Sequence, residues 1–137
     1  MGLDMYAYLA KRKNENAKKV YDTSGKMSDD WYVVDNNYYY WRKNRHLHNW
    51  MEKKYLENGG EDNSFNCSFL VLTIDDFVEL RNDIKNGIVE QMDSQGFFYG
   101  ENDYSAHKEL DLKFCNFAIS ELRELGDEFA VIYTSWW

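Results

Sequence analysis

The chain has 137 residues, 44% hydrophobic and 18% aromatic, with 24 Asp and Glu against 16 Lys and Arg for a formal charge of −8. That length suits one domain that buries a core unaided, the aromatic load excludes disorder of the whole chain, and the acidic balance disfavours a general binder of nucleic-acid backbones. Cys67 and Cys115 lie far apart in apolar segments and suggest no disulfide framework, and no apolar run approaches the ~20 residues of a membrane span, so a reducing, cytoplasmic compartment is expected.

Leu3, Met5, Ala7 and Leu9 alternate with polar or amphipathic residues, which predicts a half-buried first strand. Residues 11–30 are polar and read as a surface excursion, with Trp31 to Val34 as a short strand. From Tyr38 to about Leu56 the spacing of Tyr40, Asn44, Leu47, Met51 and Tyr55 predicts a helix. Cys67 to Leu72 forms an apolar strand. A second helix follows with Ile74, Phe77, Leu80, Ile84 and Ile88 as its stripe and Thr73 with Asp76 as a capping box. A third helix spans about Ser105 to Leu125, with Leu110, Phe114, Phe117, Leu122 and Leu125 inward, and stops at Gly126. Phe129 to Ser135 closes the chain as a strand, expected beside the first. The sum is a single α+β domain over 1–137, three amphipathic helices packed on a small, mostly antiparallel or mixed sheet.

Charge is uneven along this frame. Residues 38–55 hold five bases against one acid, whereas residues 75–128 hold 14 acids against 5 bases. The basic stretch is also the richest in side-chain chemistry. On a helix, Trp41, Asn44, Arg45 and His48 would be mutual neighbours, and an aromatic face with cationic donors suits a nucleobase or a phosphate-bearing ligand. The plainer alternative makes Trp41 core, lays Arg45 beside it and leaves His48 a buried, hydrogen-bonded histidine. Gln95-Gly96-Phe97-Phe98-Tyr99-Gly100 sets three aromatics between glycines, fit either to approach a ligand or to plug the core.

No hydrolase elbow, phosphate-binding glycine loop, dinucleotide fingerprint or zinc-protease motif is present. His46 and His48 point apart on a helix and neither Cys has a close partner, so no metal site and no cofactor is expected. His48 is therefore expected not to bind a metal.

Four blocks of sequence resemble one family. Met1-Gly2-Leu3-Asp4-Met5-Tyr6, Tyr40-Trp41-Arg42-Lys43 followed by Leu47-His48-Asn49-Trp50, the Gln95 to Gly100 loop with Tyr104, and Tyr133-Thr134-Ser135-Trp136 are similar to motifs of small phage and prophage proteins of uncharacterised function. The likeness covers about a third of the chain, in order. It departs where Ser94 precedes Gln95 instead of following it, at Arg45-His46, and in the added Trp137. It implies a phage-encoded accessory protein of the counter-defence or host-takeover kind, working in the host cytoplasm, and it brings no known reaction.

Three readings of function stand. The first is a binding protein that holds a small nucleotide-like anion among Trp41, Arg45, His48, Gln95, Phe98, Tyr104 and Ser135, blocks expected to converge on one cleft. The second is an acidic inhibitor of a host defence or nucleic-acid enzyme. The third is a small nucleotide-processing enzyme using His48 and a carboxylate. The partner is thus a small ligand or a host protein, with no direct contact to nucleic acid or membrane.

Overall fold

A computed structural model describes residues 2–22, 26–92 and 104–137. The alternation at the start of the chain produces β1 (Asp4–Arg12), in which Met5, Ala7 and Leu9 are buried on one face. Next come β2 (Val20–Tyr21), α1 (Met27–Asp30) and β3 (Trp31–Arg42). α2 (Arg45–Glu57), β4 (Phe69–Leu72), α3 (Ile74–Lys85), α4 (Ser105–Leu125) and β5 (Phe129–Trp136) complete the order. The architecture is α+β, as expected.

The strands form one sheet in the order β2-β4-β5-β1-β3, every pair antiparallel. β1 and β5 lie side by side at its centre, Asp4 opposite Trp136 and Lys11 opposite Phe129. The face carrying Met5, Ala7, Leu70, Leu72, Val131 and Tyr133 packs with Leu47, Met51, Phe77, Leu80, Phe114 and Ile119 of the helices into the main core. The opposite face has a smaller core of Ala10, Val71, Ala130 and Ile132. Tyr21 of β2, Met27 of α1 and Trp31 at the start of β3 are buried against it.

Two helix boundaries follow from local chemistry. The Thr73 N–H donates to the Asp76 carboxylate at 2.9 Å, the capping box read from the sequence. Gly126 ends α4 at φ 101°, a backbone angle that costs glycine little, and its N–H returns to the Leu122 carbonyl.

The expected helix from Tyr38 must be corrected. Residues 38–42 belong to β3, with Tyr39 and Trp41 turned to the core and Tyr40 51% exposed on the other face. Lys43 then turns the chain at φ 58° while donating its N–H to the Leu3 carbonyl, and Asn44 caps α2 by accepting from the Leu47 N–H. Four consecutive aromatics satisfy a strand period as readily as a helical one, and their β propensity prevails here. The inward stripe of α4 is also shifted. Leu110, Phe117 and Leu125 face solvent, and Asp111, Phe114, Cys115, Ala118, Ile119 and Leu122 face the core. On α3, Phe77, Leu80 and Ile84 are buried as expected, while Ile88 beyond the helix is exposed.

Candidate functional site

The side chain at the centre of the polar core is one that no motif marked. Asp111, 2% exposed on the inner face of α4, accepts from Trp41 Nε1 at 3.1 Å, Asn44 Nδ2 at 2.8 Å and the Tyr104 hydroxyl at 2.7 Å. Three elements meet there: the end of β3, the cap of α2 and the start of α4. Burial raises the proton affinity of Asp111, and the three donors and nearby His107 partly offset that rise. Burial likewise pushes the Tyr104 hydroxyl up, helped by the Asp111 charge, and pushes the Cys115 thiol up to about 12. The His46 ring lies 5.5 Å from that of Tyr104.

A second group adjoins the first through Tyr133. Its ring is 6.2 Å from Trp41 and 6.1 Å from His48, and its hydroxyl is 2.6 Å from His48 Nδ1. Burial lowers the His48 pKa to about 3, with Arg45 adding to the effect, and raises that of Tyr133 well above its ordinary value. At neutral pH both are uncharged. The partner of His48 is therefore a phenol, where the enzyme reading required a carboxylate.

Of the residues expected at one cleft, Trp41, His48, Tyr104 and Ser135 are all buried. Trp41 and Tyr104 share Asp111, and His48 joins them through Tyr133. Ser135 Oγ donates to the Phe65 carbonyl at 3.3 Å on the Tyr133 side. Arg45 opens α2 half-buried. Gln95 and Phe98 lie outside the described residues. Trp41 reaches this cluster from a strand, so the helical-neighbour argument that linked it to Arg45 and His48 fails while the proximity of Trp41 and Asn44 survives. The missed members are Asp111 and Tyr133. A sequence signal existed for the first, because Asp111 starts the 111, 114, 115, 118, 119, 122 series as the one acid in a buried stripe.

The polar tips of the cluster are engaged with one another, and charge gathers at its rim. Arg42 and Lys43 are exposed and Arg45 half-exposed along the stretch that leads from β3 into α2, whose first turn holds no acid. On the second sheet face, at the open end away from the smaller core, Tyr6 and Tyr40 lie 5.4 Å apart, Tyr40 donates its hydroxyl to Asp4, and Trp136 is 65% exposed. A cleft of about 650 Å³ opens elsewhere, lined by Lys18, Tyr21, Lys26, Asp30 and Tyr55 among others, and contains none of the residues named from the motifs. Among the described residues no three His, Cys, Asp or Glu side chains are grouped to hold a metal ion, and no helix is long and apolar enough to cross a membrane. No family model, no curated protein and no solved structure matches this chain.

Proposed function

We propose that this chain is a phage-encoded accessory protein of counter-defence or host takeover, acting by binding a nucleotide-like anion at the junction of β3 and α2. The observation that carries this reading is the run of Arg42, Lys43 and Arg45 leading into the N-terminus of a 13-residue helix with no acid in its first turn. The positive end of the helix and three cations favour phosphate. The Trp41, Asn44 and Asp111 bonds hold that junction rigid. In this reading Trp41, His48, Tyr104 and Ser135 are the scaffold of the site and Arg45 is its contact.

Nucleoside mono-, di- and triphosphates titrated into the protein, followed by Trp fluorescence, test it. Saturable binding is expected, weakened roughly tenfold by Arg42→Ala or Arg45→Ala and further by salt. A parent that binds none of them, or folded variants that bind as the parent does, would defeat the assignment.

One observation favours a protein partner instead. Tyr40 and Trp136 expose their rings at the open end of the second sheet face, and tyrosine and tryptophan are enriched in the contacts that dominate protein interfaces. Native mass spectrometry of the protein drawn from host cells separates the readings, reporting a bound nucleotide for the first and a stoichiometric protein for the second.

A further inference from the structure

The outer side of α4 carries a pattern that the core does not use. Ala106, Leu110, Lys113, Phe117, Ser120 and Glu124 follow one another at steps of four, three, four, three and four, and all six are exposed. Leu110 and Phe117 keep 54% and 51% of their surface in solvent. Alternating steps of four and three are the seam along which one helix packs on another. The Phe117 ring rests on one side against Tyr38, 5.6 Å away, and the exposed remainder of Leu110 and Phe117 gains apolar burial when a second helix lies against it.

The charges along the seam indicate which helix fits. Lys113 and Glu124 form no ion pair with any described residue of their own chain. Turn a second α4 antiparallel to the first about Phe117, and the two Phe117 rings meet at the axis. Residues equidistant from the axis then face each other. Lys113 then lies within one turn of Glu124 of the second copy, and the symmetry makes this contact twice. A parallel arrangement would instead bring like charges together. The flanking Glu109 and Arg123 lie on a common edge of the helix and also approach one another across the antiparallel pair.

We infer that the outer face of α4 is a self-association surface, occupied by α4 of a second copy of this chain in antiparallel register. This does not depend on the nucleotide reading. Two apolar side chains per helix make a small interface, so association is weak and concentration-dependent.

Sedimentation velocity of the full chain over roughly 5 to 500 μM should show the average mass rising above 16.4 kDa towards the dimer. Lys113→Glu and Glu124→Lys each convert two attractions into repulsions and should weaken association roughly tenfold. Both positions are exposed, so neither change threatens the fold. Mixed in equal amounts, the two variants should restore association as a one-to-one heterodimer, because the all-acidic seam of one then faces the all-basic seam of the other. A parent that stays monomeric throughout overturns the inference. So do single variants that associate as the parent does, or a mixture that fails to pair.

Discussion

Replacing Asp111 with Leu removes an acceptor and leaves a side chain of similar length. The carboxylate is 2% exposed and holds three buried donors, Trp41 Nε1, Asn44 Nδ2 and the Tyr104 hydroxyl. Each buried donor left without a partner costs about 1–3 kcal/mol, so the gross loss is about 3–9 kcal/mol. The Tyr104 hydroxyl can rotate towards another acceptor, but the indole and the amide are fixed by β3 and by the α2 cap. Against this, Leu gains about 2 kcal/mol of apolar burial and the desolvated charge disappears. The expected net loss is about 3–4 kcal/mol, a large part of the 5–15 kcal/mol that ordinarily holds a domain folded. Urea unfolding followed by Trp fluorescence measures it. Asp111→Asn keeps one oxygen for the indole but turns its own N–H₂ towards that of Asn44, and should lose about half as much. A Leu variant within about 1 kcal/mol of the parent would refute the view that this network holds the three elements together.

Two further outcomes follow from named contacts. The folded pKa of His48, about 3, lies below its ordinary value of 6.5, so between these values the unfolded state binds more protons. Stability should therefore fall with acidification by up to about 1.4 kcal/mol per pH unit in that window, with no contribution from His48 above it. Asp111 shifts the opposite way, so the comparison must be between the parent and His48→Gln, and equal slopes in denaturation across the window would refute the assignment. At Gly60 an added Cβ would lie 2.3 Å from the buried Tyr55 ring, whereas at Gly59 it meets open space at φ 99°. Gly60→Ala should lower stability by about 1–3 kcal/mol and Gly59→Ala by about 1 kcal/mol, and the reverse order of melting temperatures would count against the packing described.

Elements governed by one clear period were legible before the structure. β1, β4, α3, α4 and β5 each rest on a local pattern, and the pairing of β1 with β5 followed from their shared alternation. The stretch from Trp31 to Arg42 was not, because Tyr38 to Trp41 are aromatic at every position and bear no phase. Asn36-Asn37 sits where β3 slips against β1 between the Tyr39 and Asp35 pairings, and the Asn37 N–H is held by Asp35 Oδ1. α4 misled for another reason. Its two apolar stripes interleave at similar spacings, so Leu110 and Phe117 read as core while the buried stripe begins with an acid. The candidate site was legible as a neighbourhood around Trp41, His48 and Tyr104. Its centre was not, since Asp111 lies 70 residues from Trp41 and no spacing rule links them.

The position of β5 in the sheet governs how the protein can be made. Until residues 129–136 leave the ribosome, the sheet exists only as two separate ladders, β1 with β3 and β2 with β4. β5 alone joins them, pairing with β4 on one side and β1 on the other. Closing the β1–β5 loop of roughly 120 residues costs about 4 kcal/mol of chain entropy before the first long-range contact repays it. While residues 1–128 are made, the edges of β1 and β4 thus await β5, and the central ladder can form only after residues 129–136 have emerged.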